Sequence, residues 1–402
     1  MKVLQVNATY CLGSTGTIVR DLKECCEANG IECYVAYALA SETVERGYKI
    51  GNRFFNKLHA LLARIAGKQA YFSYLPTLMF IRYVKKLQPD VVHLHNLHAN
   101  YINLPMLLKY LAKNDIRTII TLHDCWWYTG GCFHYTAAGC TKWLNKCGDC
   151  PKRFTDTSAY FCDRSAKILE DRKKLLLSIP RLTIVGVSDW ISNEARKSFL
   201  ASKEIKTNHN GIDLTVFKPT PSDLRERLGL IDKYVILGPA SKWLDPVNKE
   251  VFDYFAANMK DDEVLLLFGT EKTDRPLPTN VNLYGYTRDK HELAALYTMA
   301  DVFVNCTRED SLSLINVEAQ ACCTPVVTFD ATGPKETVDG EYSLSIQVGN
   351  CEKLYDSVQF IRLRAEDGRD SNFREFISCK FSKTDKFKEY INLYLNSYRN
   401  QS

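Results

Sequence analysis

The chain has 402 residues, of which 46% are hydrophobic and 25% are charged. This length exceeds what one ordinary hydrophobic core supports and predicts two α/β domains, and the composition excludes a disordered chain. The net charge of +5 is too small to predict nucleic-acid binding, and no run of about 18 apolar residues predicts a membrane-spanning helix.

The first residues, MKVLQVNATYC, predict a β-strand. Polar residues interrupt this short apolar stretch, so it lacks the continuous apolar region of a signal peptide. We therefore expect a cytoplasmic protein. Its fifteen cysteines are then expected to be mostly reduced, structural or metal-bound rather than paired in disulfides.

Short apolar runs alternate with amphipathic stretches, which predicts doubly wound parallel sheets. The predicted strands are KVLQVN, CYVAYA, DVVHLH, RTIITL and LTIVGV in the first half, and YVILGP, EVLLLF, VNLYG, DVFVN and TPVVTF in the second. Helices are predicted over residues 18–28, 104–113 and 251–259. After about residue 344 the pattern is helical to the end.

A break in the pattern predicts the domain boundary. Residues 209–222 contain a glycine and two prolines and have no helical period, so we predict a linker there. Residues 1–208 then form an N-terminal domain, with a cysteine-rich loop at 125–150, and residues 223–383 form a C-terminal domain. The last segment, 384–402, predicts a helix that crosses back to the N-terminal domain.

Glycines and histidines stand at predicted strand ends, where open α/β sheets bind ligands. GSTGTIVRDL, residues 13–22, follows the first strand and fits either a tight turn or a phosphate-binding loop. His93, His95 and His98 fit either core histidines or a metal site. His123 and Asp124 precede two tryptophans, a combination that suits a polar ligand such as a sugar, although His123 could also simply cap the turn.

The loop after the fifth predicted strand contains four cysteines. Cys132, Cys140, Cys147 and Cys150 form the pattern C-x7-C-x6-C-x2-C. Four thiolates suit tetrahedral zinc, and such a closed site would be structural rather than catalytic. Free thiols are the alternative, and a cysteine-cluster redox protein with an iron–sulfur centre is a further hypothesis.

The segment EDSLSLINVEAQACCTPVV, Glu309–Val327, combines acidic residues with an apolar helical period. We predict that Asp310 or Ser311 caps a helix that runs to about Ala321. The free N–H groups of residues 312–315 would then attract an anion, and Glu318 would lie about 12 Å further along the helix axis.

Together these residues resemble family 4 of the retaining glycosyltransferases. The resemblance covers nearly the whole chain and rests on the Gly13–Gly16 loop, PDVVHLH, HDCWWYTGGC, VSDW, NHNGID with FKP, EDSLSLINVEAQACCTPVV and TGPKE. It implies a GT-B fold, in which two doubly wound Rossmann-like domains face each other across a cleft. It also implies transfer of a sugar, of hexosyltransferase type, from a nucleotide-sugar donor. The sequence contains no Asp-x-Asp pair, so we expect no metal cofactor for catalysis.

The resemblance assigns roles to individual residues. Asp310 would hold the donor sugar, unless Glu309 takes that role, Glu318 would hold the ribose, and His123 would contact the sugar. The diphosphate would be held by the remaining donor-binding positions, which are Gly16, Lys242, Lys249, Ser311, Leu312, Ser313 and Leu314. Taken by themselves, Lys242 and Lys249 also fit solvated surface lysines.

The cysteine-bearing loop is similar to that of a subgroup of this family that acts in bacterial exopolysaccharide, capsule or O-antigen assembly, of the colanic-acid type. The acceptor would then be a saccharide, often lipid-linked at the inner face of the plasma membrane. Between Arg46 and Lys86 nine basic residues and no acidic residue occur among apolar ones, which suits peripheral contact with anionic lipid. The alternative function is a non-catalytic sugar-nucleotide-binding protein of the same fold.

Overall fold

The computed structural model describes residues 1–365 and 372–396, which form two compact units. The first unit contains Met1–Asn208 and the described residues from Phe387 onward, and the second contains His209–Lys386. The segment that we predict as a linker, 209–222, lies in the second unit, where the Ile212 N–H donates to the Phe381 carbonyl at 2.9 Å. The last part of the predicted C-terminal helix, residues 397–402, lies outside the described residues.

A parallel sheet forms the centre of the first unit. Its described strands are β1 (Lys2–Tyr10), β2 (Glu32–Ala40), β3 (Gly47–Lys49), β4 (Val91–Leu94), β5 (Thr118–Leu122), β6 (Leu182–Gly186) and β7 (Glu204–Thr207). Their order across the sheet is β3-β2-β1-β4-β5-β6-β7. The helices are α1 (Gly13–Ala28), α2 (Arg53–Ala66), α3 (Tyr74–Leu87), α4 (Leu104–Lys113), α5 (Ser165–Leu177) and α6 (Asp189–Lys197).

The second unit repeats this architecture. Its described strands are β8 (Tyr234–Pro239), β9 (Glu263–Phe268), β10 (Val281–Tyr284), β11 (Val302–Asn305), β12 (Val326–Phe329) and β13 (Leu344–Ile346), in the order β10-β9-β8-β11-β12-β13, all parallel. Its helices are α7 (Leu224–Arg227), α8 (Ala240–Trp243), α9 (Lys249–Asn258), α10 (Lys290–Met299), α11 (Leu314–Ala321), α12 (Cys351–Ala365) and α13 (Asn372–Phe381).

All ten predicted strands are present, and most of them are largely apolar runs, as expected of strands covered on both faces. The short strands β3, β7 and β13 were not predicted. They lie at sheet edges and are only partly buried, so they lack such a run. The expectation of a purely helical pattern after residue 344 was wrong for this reason, since β13 occupies its start.

The last helix, α14 (Lys383–Leu395), packs from Phe387 onward into the core of the first unit. Its buried side chains recur at helical spacing and contact apolar residues of the first sheet and of α1. Two tyrosines add polar contacts: the Tyr394 hydroxyl lies 2.6 Å from His93 Nδ1, and the Tyr390 hydroxyl lies 2.9 Å from Thr121 Oγ1.

Each sheet reverses its strand order at one point, between β1 and β4 in the first unit and between β8 and β11 in the second. Helices that follow two such strands leave on opposite faces, so a crevice opens at the carboxyl ends of these strands. The residues that the sequence singles out as candidate ligands concentrate at the ends of these strands and of their neighbours.

Candidate functional site

Three polar side chains form a chain of contacts that begins within β1 and reaches the residues directly after β4 and β5. Gln5 Oε1 lies 3.1 Å from His95 Nε2, and His95 Nδ1 lies 3.0 Å from His123 Nε2. The amide of Gln5 is oriented by its nitrogen, which donates to the Val19 carbonyl at 3.1 Å. Its oxygen is therefore the atom that faces His95.

This chain fixes the proton positions of both histidines. Burial holds the pKa of His95 well below its usual range and lowers the pKa of His123 to about 4, so both rings are neutral at pH 7. Gln5 Oε1 only accepts, so His95 carries its proton on Nε2 and accepts at Nδ1. His123 must then donate from Nε2, which leaves its Nδ1 as a hydrogen-bond acceptor.

His93 is a core residue and not a ligand. It is fully buried, and its two ring nitrogens contact the hydroxyls of Tyr394 and Thr121, at 2.6 Å and 2.8 Å. Burial lowers its pKa to about 3. His93 therefore anchors α14 to the sheet, and of the two alternatives drawn from the sequence the core histidine applies.

His98 and Asp124 form a second polar pair beside His123. His98 Nε2 lies 3.2 Å from an oxygen of Asp124, whose other oxygen accepts from the Trp126 N–H at 2.8 Å. Asp124 thus caps the turn that follows β5, while its neighbour His123 stays in contact with His95.

Gly16 lies in the first turn of α1, and its lack of a side chain serves packing against β1. A Cβ atom there would approach Thr9 Oγ1 to 2.9 Å and the Cys11 nitrogen to 3.3 Å. The Cys11 N–H also donates to the Gly16 carbonyl at 3.1 Å. The predicted glycine loop is therefore a tight strand-to-helix connection, and its backbone is close to the switch point of the sheet.

The helix in the Glu309–Val327 segment begins later than predicted. α11 starts at Leu314 rather than near Asp310 or Ser311, and Ser313 precedes it with φ 74°. Asn305, at the end of β11, explains the shift, because its amide donates to Ser313 Oγ at 2.9 Å and to Asn316 Oδ1 at 2.8 Å. The N–H groups at the helix start thus begin at Leu314, and those of Leu312 and Ser313 precede the helix.

Residues Asp310–Leu312 form a non-helical loop that packs against the loop after β12. The Asp310 N–H and carbonyl both contact Thr332 Oγ1, at 3.0 and 2.7 Å, and a Cβ atom at Gly333 would meet the Ser311 oxygen at 2.0 Å. Asp310 Oδ1 accepts from the Ser311 N–H at 2.7 Å. Ser311 Oγ is buried without a hydrogen-bond partner among the described residues.

Glu318 lies four residues after Leu314, the first residue of α11. Its distance from the helix start is therefore about 6 Å along the axis, whereas a start near Asp310 predicted about 12 Å. Its Oε2 accepts from the Tyr297 hydroxyl at 3.1 Å. Burial raises the pKa of Glu318 to about 7, although Tyr297 and Lys290 oppose this shift. A carboxylate so placed lacks the partners that would fully satisfy it, so it favours a ligand that donates hydrogen bonds.

The basic residues of the second unit differ in their surroundings. Lys249 is 70% exposed and pairs with Asp253, which also pairs with Arg275. Arg308, which the sequence reasoning missed, follows β11, and its Nε donates to Asn248 Oδ1 at 2.9 Å. Asn248 Nδ2 in turn donates to the carbonyls of Lys242 and Cys306, at 3.0 Å each.

Arg308 therefore belongs to a cluster at the switch point. The charges of Lys242 and Arg308 both act on Cys306 and counter the effect of burial, which raises the pKa of Cys306 to about 12. This places two cations at the ends of β8 and β11. The signal for Arg308 in the sequence was its position three residues after the end of a predicted strand and directly before Glu309 and Asp310.

Comparison with known families decides which family this chain belongs to. A model described as Glycosyltransferase Family 4 matches residues 15–216, half of the chain, and a model described as Glycosyl transferases group 1 matches residues 247–361. The chain belongs to glycosyltransferase family 4. The family assignment agrees with the resemblance seen in the sequence and supports transferase activity.

Full-length relatives and solved structures agree with this assignment. A protein from Escherichia coli K12 named as a colanic acid biosynthesis glycosyl transferase, WcaC, is 22% identical over 98% of this chain and 100% of its own length. The sucrose-phosphate synthase of Thermosynechococcus elongatus superposes with a TM-score of 0.72, at 16% identity and full coverage of both chains. Anabaena HepE, solved with UDP and glucose, gives 0.64 at 16% identity, over 99% of this chain and 100% of its own. The fold of this glycosyltransferase is GT-B.

Within residues 1–365 and 372–396, no helix combines the length and the apolar character needed to cross a bilayer.

Proposed function

We propose that this family 4 enzyme is a retaining hexosyltransferase that needs no metal ion for catalysis. It transfers a sugar from a nucleotide-sugar to a lipid-linked saccharide in the synthesis of a bacterial cell-surface polysaccharide. The observation that carries the proposal is the placement of Glu318, a partly buried carboxylate close to the start of α11. The similarity to WcaC supports the polysaccharide role.

The donor diphosphate is assigned to the start of α11 and to the cations beside it. The N–H groups of Leu314 and Ile315 lie at the helix end, where the helix dipole favours an anion. Lys242 and Arg308 add positive charge at the neighbouring strand ends. These groups stabilise the charge that the leaving diphosphate gains as the bond from the sugar breaks.

The sugar and the ribose are assigned to acceptor groups. Glu318 accepts from the ribose hydroxyls, Asp310 or Glu309 accepts from hydroxyls of the sugar, and Nδ1 of His123 accepts from a further sugar hydroxyl. In this scheme the bond from the anomeric carbon to the phosphate oxygen breaks and a bond to the acceptor oxygen forms on the same face. The acceptor proton passes to the leaving phosphate, so no enzymic nucleophile is required.

A metal-independent reaction agrees with the sequence, which contains no Asp-x-Asp pair to bridge a metal ion and a diphosphate. The predicted basic pair is revised in part. Lys242 keeps its assigned role, and Arg308 becomes the second cation proposed for the diphosphate. Lys249 forms an ion pair with Asp253, so it has to leave Asp253 before it can bind phosphate.

The membrane contact is assigned to an apolar face of α2 and α3. Exposed apolar side chains recur along α2 at spacings of three and four residues and continue at the start of α3: Phe54, Leu58, Leu61, Leu62, Ile65, Tyr74, Leu75, Leu78 and Met79. Phe54 and Tyr74 are 69% and 63% exposed. The buried residues of α2, His59 and Ala63, lie on the opposite side of the helix.

Basic residues border this apolar face, and the stretch from Arg46 to Lys86 holds no acidic residue. Arg53, Lys57 and Arg64 lie on α2, and further basic residues end α3. A helix with an apolar face and a basic flank lies in the interface of an anionic bilayer, and each basic residue near the surface contributes about 1 kcal/mol. The occupant proposed for this face is therefore anionic lipid, which would bring the enzyme to a lipid-linked acceptor.

A donor screen tests the proposed reaction. The full chain is incubated with single nucleotide-sugars and membrane-extracted lipid-linked saccharides, starting with UDP-sugars because HepE was solved with UDP. Release of the nucleoside diphosphate together with a glycosylated acceptor supports the proposal, and the anomeric configuration of the product shows whether it is retained. Tight binding of a donor with no transfer to any acceptor supports the alternative, a non-catalytic sugar-nucleotide-binding protein. Transfer that stops on removal of divalent ions contradicts metal independence.

A further inference from the structure

The segment between β5 and α5 folds with little regular structure. Its regular elements among the described residues are two short 3-10 turns, Cys125–Tyr128 and Lys142–Leu144. Its first part is buried in the first unit, with Trp126 and Trp127 fully buried, whereas many of its later residues are exposed. A segment of this kind needs cross-links other than backbone ladders to hold one conformation.

Four cysteines of this segment line one small cavity. Cys132, Cys140, Cys147 and Cys150 surround a space of about 10 Å³, together with Gly130, Trp143 and Ser165. This volume suits one water molecule or one ion. All four thiols are free in the structure, as are the other cysteines of the chain.

The turn between the last two cysteines directs both side chains to this cavity. Gly148 and Asp149 have positive φ angles of 147° and 43°. The ammonium group of Lys142 holds the turn, because it donates to the carbonyls of Gly148 and Asp149 at 2.9 and 3.0 Å. The Cys150 N–H donates to Asp163 at 2.8 Å, which ties the turn to the start of α5.

A close backbone approach supports the same geometry. A Cβ atom at Gly130 would lie 2.9 Å from the Cys147 Cβ and 2.6 Å from the Ser165 carbonyl oxygen. A side chain at residue 130 would collide with Cys147, so a glycine at this position is required for Cys147 to line the cavity.

A buried cation gives a second, independent observation. Arg172 on α5 is 1% exposed and lies over the Trp126 ring at 3.6 Å. Its Nη1 donates to the carbonyls of Trp126 and Thr129, but its Nε and Nη2 have no hydrogen-bond partner in the described part of the chain. Burial lowers the pKa of Arg172 to about 10, and negative charge at Tyr71, Cys132, Asp124 or Cys147 would act in the opposite direction. An unpaired buried guanidinium is costly unless negative charge lies nearby.

We propose that Cys132, Cys140, Cys147 and Cys150 bind one structural Zn²⁺ ion and that Arg172 compensates the negative charge of the four-thiolate complex. The ion takes four deprotonated thiols, and their protons pass to solvent. In the described part of the chain, one group of three potential metal-ligand atoms lies within 4.8 Å of one another, and it contains no cysteine. No three sulfur atoms of the four cysteines therefore lie this close to one another in the structure. Binding therefore draws the sulfurs together, to about 3.8 Å for a tetrahedron with Zn–S bonds of about 2.3 Å.

Metal analysis of the full chain tests this proposal. The protein is purified without chelators from cells grown with zinc, and its metals are measured by mass spectrometry. We expect one zinc per chain in the wild type and its loss in Cys147→Ser and in Cys150→Ser. Cys162→Ser is the matched control, because Cys162 belongs to the same loop but does not line the cavity, and it should retain the ion.

A spectrum of the wild type keeps the test decisive even if the serine variants fail to fold. Exchange of Co²⁺ into the site should give the intense visible bands of a tetrahedral thiolate complex. Arg172→Met should weaken metal retention against a competing chelator by about tenfold if its charge compensates the site. A protein without bound metal, an iron–sulfur absorption, or a disulfide among these four cysteines would overturn the proposal.

Discussion

His95 Nδ1 lies 3.0 Å from His123 Nε2, and this contact couples a fully buried histidine to one at the strand end. Because Gln5 fixes the proton on the other nitrogen of His95, the contact also decides which nitrogen of His123 is free to accept. Under the proposed function His95 is therefore a positioning residue, which would act on the donor sugar through His123.

The tautomer of His123 can be observed directly. We expect nitrogen NMR to show His123 protonated at Nε2 and neutral across pH 6–8, since burial lowers its pKa to about 4. In His95→Phe the partner of that proton is lost, so the tautomer should become mixed. The dissociation constant of the donor should rise by about tenfold, and the free energy of unfolding should fall by about 1–3 kcal/mol. If His123 of the wild type is protonated at Nδ1, the chain of contacts from Gln5 through His95 does not fix its tautomer.

Substitution of Glu318 should weaken donor binding without unfolding the protein. In Glu318→Gln a charged acceptor becomes neutral, and hydrogen bonds to a charged group contribute about 1.5–3 kcal/mol. We expect the dissociation constant of the donor to rise by about 10- to 100-fold, as measured by calorimetry. Glu352→Gln, at an exposed position on α12 of the same domain, is the control. Unchanged transfer by Glu318→Gln would contradict the assignment of this residue to the ribose.

The raised pKa of Glu318 predicts opposite effects of pH on stability and on donor binding. The folded pKa is about 7, above the unfolded value of about 4.3. The protonated form is therefore favoured in the folded state, so this contribution to stability is full below pH 4.3 and is lost as pH rises through 7.

Urea unfolding of the wild type and Glu318→Gln at pH 5.5 and pH 8.5 measures this effect. The wild type should lose about 1–3 kcal/mol relative to the variant at the higher pH. Donor affinity should fall as pH drops below about 7, because the neutral carboxyl accepts less well. A stability difference independent of pH would show that Glu318 is ionised throughout.

Arg308 should contribute more to diphosphate binding than Lys249. Arg308 lies beside Lys242 at the switch point, whereas Lys249 is paired with Asp253. We expect Arg308→Gln to weaken binding of the free nucleoside diphosphate by about tenfold or more, and Lys249→Gln to change it less. Lys353→Gln on α12, an exposed position, controls for net charge. The reverse order would show that Lys249 leaves Asp253 when the donor binds.

Sedimentation with lipid vesicles tests the membrane face. Lys57→Gln, Arg64→Gln and Lys68→Gln combined should lower binding to anionic vesicles by about 10- to 100-fold, and 0.5 M salt should do the same for the wild type. Lys167→Gln, Lys173→Gln and Lys174→Gln on α5 remove the same charge from another surface and should bind as before. An equal loss of vesicle binding in both triple variants would indicate a general effect of net charge and would contradict a membrane-binding face on α2 and α3.

The strands and the family were determined by the sequence alone. Most of the ten predicted strands are largely apolar runs that are buried in the sheets. Helix α4 also matches its predicted range, 104–113, because Asn103 caps it and its apolar period is local. The signature residues of the family likewise lie within short segments, so they could be recognised without knowledge of the fold.

The tertiary structure decided what depends on residues distant in sequence. The start of α11 moved to Leu314 because Asn305 and Gly333 hold the preceding loop in a non-helical conformation. The role of His95 depends on Gln5, and Arg308 joined the site through Asn248, 60 residues away in the chain. Local periodicity reports which residues are apolar and which are polar, whereas hydrogen-bond partners and the path of a loop are set by the packing of separate strands.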